Sequence, residues 1–139
     1  MLILFVLLKL ESRALWREQI SRNFRSINYP RRSPIVFWNI VITWDSLAKD
    51  TVGKQIVRSA DSIGANIAEG SGRGSHQDNR RFVRMARGSL YETMHWLRRS
   101  YMRKLLSQAE VKKLQVLIEE LTPKLNAYLR SVDQRVKSN

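Results

Sequence analysis

Residues 55–101 read QIVRSADSIGANIAEGSGRGSHQDNRRFVRMARGSLYETMHWLRRSY, and this stretch decides the fold class. In its first part Ile56, Ala60, Ile63 and Ile67 recur at intervals of four, three and four residues, which places them on one face of an α-helix. Gly64, Ala65 and Ala68 are small enough to let a second helix approach. The run Gly70-Ser71-Gly72-Arg73-Gly74 ends this helix, with glycine available for the left-handed position past its C-terminus. Ser75 opens a longer helix predicted to reach about Leu106, with Phe82, Ala86, Leu90, Thr93, Leu97 and Tyr101 as its buried stripe.

Reading outward, Thr51 is the predicted N-cap of the helix that carries Ile56, after a turn over 45–50. On the other side, Ser107 followed three residues later by Glu110 forms a capping-box pattern. It introduces Val111, Leu114, Ile118, Leu121, Leu125, Tyr128 and Val132, whose spacing alternates three and four throughout. Pro123 falls inside this helix and is expected to bend it. Residues 35–44, IVFWNIVITW, look like a buried strand when taken alone. No second strand is on offer, and a lone strand leaves its backbone unpaired. The stretch is therefore read as a buried helix over about 35–46.

Short connections make consecutive helices antiparallel neighbours. The prediction is an all-α fold: an antiparallel up-and-down four-helix bundle over residues 35–135, behind an irregular N-terminal arm and linker over 1–34. Pro30 and Pro34 stop any helix in that linker. Residues 10–27 can be helical. Met1 to Leu8 is apolar but far short of the roughly 20 residues that span a membrane. A basic start and a small-residue cleavage site are both missing, so a cytoplasmic protein is expected.

The chain has 139 residues and a net charge of +13, from 25 Lys and Arg against 12 Asp and Glu. Residues 73–104 alone hold nine of the cations and two acids, Asp78 and Glu92. A concentrated positive field of this kind favours polyanions or acidic proteins. Along the predicted third helix, Arg80, Arg84, Arg87, Tyr91, His95 and Arg98 form a continuous stripe, flanked by Arg81, Arg99, Arg103 and Lys104. The planar guanidinium fork matches phosphate oxygens, and an aromatic ring such as Tyr91 can stack on a base. These residues, with Arg73, are the candidate nucleic-acid contacts. The competing reading is a solvated face, or one that meets acids of another protein.

Catalytic and metal chemistry find little purchase. There is no cysteine, and there are two histidines, His76 and His95. Glu92 and His95 make one Glu-x-x-His spacing, whereas a di-iron bundle needs two. Glu69 is expected to pair with an arginine such as Arg58 or to accept hydrogen bonds at the helix end. The glycine run follows a helix and not a strand, so it is read as a helix–helix turn and not a nucleotide loop. Arg73 beside the start of the third helix can still hold one phosphate. No cofactor, metal, small-molecule substrate or enzymatic activity is expected.

The combination Gln55-Ile56 with Arg58-Ser59-Ala60, Ser62-Ile63, Asn66-Ile67-Ala68-Glu69-Gly70, Gly72-Arg73, Arg81-Phe82, Ala86-Arg87-Gly88-Ser89 and Glu92 resembles the four helix bundle proteins. That family is also called the 23S ribosomal RNA intervening-sequence proteins. The resemblance runs on to about Val132 and weakly back to Trp38. It implies a left-handed four-helix bundle, often a homo-oligomeric ring of five. It also implies likeness in fold to accessory proteins of diversity-generating retroelements, which bind a reverse transcriptase and nucleic acid. Members have a longer first helix than the prolines here allow, and residues 1–33 match nothing expected of the family.

Two functions follow as expectations. The first is a non-enzymatic accessory module that binds RNA or DNA and partners a reverse transcriptase. The second is a structural interaction module whose arginines meet an acidic partner. Trp38, Trp44, Trp96, Leu117 and Leu129 offer more apolar surface than one bundle core needs, which predicts self-assembly.

Overall fold

The computed structural model describes residues 33–138, so the readings made for the first 32 residues lie outside it. Four helices follow one another. Helix α1 is Ser33–Val41, α2 is Lys54–Ser71, α3 is His76–Met102 and α4 is Gln108–Lys137. No strand occurs among the described residues, and the IVFWNIVITW stretch is helical over most of its length.

Helix α1 is shorter than expected and starts earlier. Pro34 lies in its first turn, where the missing N–H has no intrahelical partner to lose and the fixed φ suits a helix. Phe37, Ile40, Val41 and the following Trp44 turn inward and are buried.

The expected turn over 45–50 and the N-cap at Thr51 are both corrected. Asp45 is the cap: its backbone is extended and its carboxylate accepts from the Ala48 N–H at 3.0 Å. A helical turn Ser46–Ala48 then runs through a π-helical stretch, Lys49–Gly53, straight into α2. Thr51 therefore sits inside a helix, and its hydroxyl donates back to the Leu47 carbonyl at 2.7 Å. An aspartate with free extended backbone outcompetes a threonine that the preceding turn already encloses. Gly53 is required where the chain doubles back on α1, because a Cβ there would lie 2.6 Å from Val41 Cγ1.

Ser75 caps α3 and Ser107 caps α4, the latter with the full reciprocal capping box to Glu110. Helix α3 ends at Met102, short of Leu106. Its left-handed terminal residue is Lys104, with φ 59°, while no glycine among the described residues has positive φ. The Leu105 N–H reaches back to the Ser100 carbonyl at 3.0 Å and the Lys104 N–H to Tyr101 at 2.9 Å, which closes the helix end. The glycine run closes α2 differently: Gly72 stays right-handed and its N–H approaches the Ala68 and Glu69 carbonyls. Helix α4 runs through Pro123, which faces solvent.

Two apolar clusters hold the bundle. In one, Ile63 and Ile67 of α2 meet Val83, Ala86 and Leu90 of α3 and Leu121, Leu125, Tyr128, Leu129 and Val132 of α4. Helix α1 contributes nothing to it. In the other, Phe37, Ile40, Val41 and Trp44 meet Ile56, Ala60 and Leu114. At 1.5 Å per residue the nine residues of α1 reach roughly 13 Å, against about 45 Å for the thirty of α4, so α1 covers one end only.

The predicted face of α2 is buried as read; on α4 Leu114, Leu121, Leu125, Tyr128 and Val132 are buried, while Val111 and Ile118 are half-buried. The predicted stripe of α3 holds in the middle, where Ala86, Leu90 and Thr93 are buried, and departs toward the ends: Phe82 and Leu97 are half-buried, Tyr101 is exposed, and Asn79, Val83 and Ser100 lie inside. Over so long a helix a stripe with repeated four-residue steps drifts off the face that its neighbours cover. Trp44 and Leu129, expected as surplus surface, are core residues.

Candidate nucleic-acid interface

Helix α3 positions every candidate from Arg80 to Arg99 along a single rigid rod of 27 residues. Its start is fixed by Ser75, whose Oγ accepts from the Asp78 N–H at 3.1 Å and donates to Asp78 Oδ2 at 2.8 Å. The carboxylate of Asp78 thus already complements the positive end of the helix dipole.

Arg73 is drawn away from the stripe. It forms an ion pair with Glu69, one turn back, and its guanidinium lies 4.9 Å from the centre of the Phe82 ring. Glu69 therefore finds its arginine in Arg73 and not in Arg58. Both side chains are about half exposed, a setting in which such pairs contribute about 1 kcal/mol at most.

Arg80 and Arg84 face α4, where Asp133 stands between them. Its Oδ1 is 3.9 Å from Arg80 Nε and 3.5 Å from Arg84 Nη2. Asp133 is the residue that sequence reasoning missed. It lies 49 residues beyond Arg84 in the chain, and only the antiparallel packing of α3 on α4 brings them together. One turn before it on the same face of α4 is Arg130, also exposed, which adds a cation to this side of the bundle.

Arg81, Arg98, Arg99, Arg103 and Lys104 are exposed and Arg87 is half-buried. Among the described residues none of the six has an acidic partner. Tyr91 is 53% exposed and lies on the stripe between Arg87 and Arg98. His95 stands edge-on to Trp96 with ring centres 5.2 Å apart, and Trp96 Nε1 donates to Glu92 Oε1 at 3.4 Å. Glu92 is thus engaged in a hydrogen bond on its own helix. Among the described residues no three His, Cys, Asp or Glu side chains come together. No helix among them is long and apolar enough to cross a membrane.

At the Arg98 end the stripe borders an apolar groove of about 440 Å3 between α3 and α4. Met94, Leu97, Tyr101, Leu106, Val111 and Ile118 line it, together with Arg98 of α3 and Glu119 of α4.

The family model described as 23S rRNA-intervening sequence protein matches residues 35–127, more than half of the chain. No curated protein matches it.

Proposed function

The chain belongs to the 23S rRNA-intervening sequence protein family, and from that premise we propose that it is a non-enzymatic helical module that binds single-stranded nucleic acid along α3. The observation that carries the reading is the row of six cations on and just beyond α3, from Arg81 to Lys104, that have no acidic partner among the described residues. A face that served only solubility would gain by interspersed acids; this one concentrates charge of one sign on a rod whose pitch can follow a phosphate backbone. Tyr91, exposed among arginines, supplies a stacking surface for a base. Arg73, held by Glu69, is a weaker contact than the rest. The resemblance to retroelement accessory proteins points to a polymerase that copies RNA as the partner in whose service this binding takes place.

Self-assembly accompanies the reading. Ile35, Trp38 and Ile42 follow one another at helical spacing on the outer side of α1 and its C-terminal turn and are 58%, 56% and 47% exposed, with Leu47 beyond them at 73%. An apolar stripe left bare on one helix favours burial against another copy. A ring of five follows from the resemblance. A second reading, contact with an acidic protein, is favoured by the apolar groove beside Arg98, since protein partners fill such grooves.

Fluorescence anisotropy with a labelled oligouridylate tests the first reading. Affinity should be micromolar or tighter at low salt, with log K falling against log salt by about 0.7 per phosphate contact. Replacing Arg87, Arg98 and Arg99, three of the unpaired cations, with Gln keeps helix-forming character and should weaken binding and flatten that slope. A variant that retains the parent's affinity and slope would favour the protein-contact reading.

A further inference from the structure

We propose that Asp133 is an intramolecular competitor for phosphate at the Arg80–Arg84 end of the cationic face, so that this end opens to a chain of phosphates but not to a single one. The proposal rests on the reading of α3 as a nucleic-acid contact.

One carboxylate oxygen serves both guanidinium groups, at 3.9 Å and 3.5 Å. A charge-assisted hydrogen bond to a carboxylate ordinarily measures about 2.7–2.9 Å. Asp133 therefore lowers the local field while accepting one long hydrogen bond, from Arg84 Nη2, and it leaves the other donors of the two arginines unoccupied by a carboxylate. Its side chain is 33% exposed, that of Arg84 is 54% and that of Arg80 is 27%, so water reaches the cluster and screens the attraction. The carboxylate can swing aside at small cost.

A lone phosphate that displaces it exchanges one anion for another and gains little. A strand gains more, because its neighbouring phosphates reach Arg87 and Arg98, where no carboxylate is paired among the described residues. Anchored there, it holds a phosphate next to Arg80 and Arg84 at high effective concentration and outcompetes Asp133. The other charged groups around this end fit the scheme. Asp78 is tied to Ser75, while Arg81 and Arg130 add to the attraction.

The test is Asp133→Asn, measured with the labelled oligouridylate over a salt series. Binding should tighten about three- to tenfold at low salt, and the salt slope should steepen by roughly one contact. In an Arg80→Gln/Arg84→Gln background, Asp133→Asn should change nothing, because the groups it competes for are gone. Inorganic phosphate should compete poorly against the parent and better against Asp133→Asn. An affinity unchanged by Asp133→Asn, or a gain that persists in the double Gln background, overturns the competitor role while leaving the nucleic-acid reading intact. A parent that binds no oligonucleotide at low salt overturns both.

Discussion

A Cβ built on Gly70 of α2 would stand 2.8 Å from Asn79 Oδ1 and 2.8 Å from Phe82 Cβ, both on α3. The same Asn79 donates from Nδ2 to the Tyr128 hydroxyl of α4 at 3.2 Å, with both side chains buried. One glycine and one amide thus pin three helices at the end of the bundle that α1 does not reach.

Gly70→Ala should therefore destabilise the protein. The Asn79 amide could rotate away, but the Phe82 Cβ is held by the α3 backbone. Overpacking of this kind costs about 1–3 kcal/mol, and the better helix propensity of alanine returns up to about 1. Thermal unfolding should shift down by several degrees. A melting temperature equal to or above the parent's would show that the helices separate freely there.

Lys104→Gly should have the opposite effect. Lys104 holds φ 59°, a conformation that costs a side chain about 1 kcal/mol or more and glycine almost nothing. The variant should be more stable to urea, and its oligonucleotide affinity should fall slightly through the loss of one charge. Lower stability would mean that the lysine side chain contributes more than the backbone strain it carries.

Tyr91→Ala should weaken single-strand binding by about 1–3 kcal/mol and leave the salt slope unchanged, because a stacked base releases no counterion. Equal loss on duplex and single strands would argue against stacking.

Trp38→Ser should dissociate the assembly without unfolding the protomer, since Trp38 is more than half exposed and belongs to neither core cluster. Light scattering reads the mass and circular dichroism the helicity. A parent that is monomeric at micromolar concentration, or a variant with unchanged mass, would refute self-assembly through this stripe.

Asp61 provides a pH test. Desolvation holds its carboxyl above the usual value of 3.8. The folded state then binds this proton more tightly than the unfolded chain, so stability falls as pH rises from the usual carboxylate value through the raised one, and the cost remains at neutral pH. Asp61→Asn should accordingly be more stable than the parent near pH 7, by less than about 1 kcal/mol because the side chain is largely exposed. The difference should vanish near pH 3. Urea melts at the two pH values check this; a gain that is the same at both would assign it to something other than the charge.

By itself the sequence determined the local structure. The intervals between Ile56, Ala60, Ile63 and Ile67, and between Leu114, Leu121, Leu125 and Val132, place those side chains on one face of a helix whatever lies opposite. The caps at Ser75 and Ser107 are equally legible, because a serine or its carboxylate partner acts on backbone within three residues. The crowding of arginine between Arg73 and Arg103 also needs only the chain order. Packing decided the rest. Whether Asp45 or Thr51 caps the second helix depends on where α1 turns back, and Gly53 meeting Val41 fixes that point. Whether Phe82 or Val83 faces inward depends on the rotation of α3 about its own axis, set by α2 and α4 together. Lys104, not a glycine, takes the left-handed position because the path from α3 into α4 demands it there. Asp133 joins Arg84, 49 positions earlier in the chain, and Arg80, which lies earlier still, a distance at which helical periodicity carries no information and only the register between two packed helices says which charges meet.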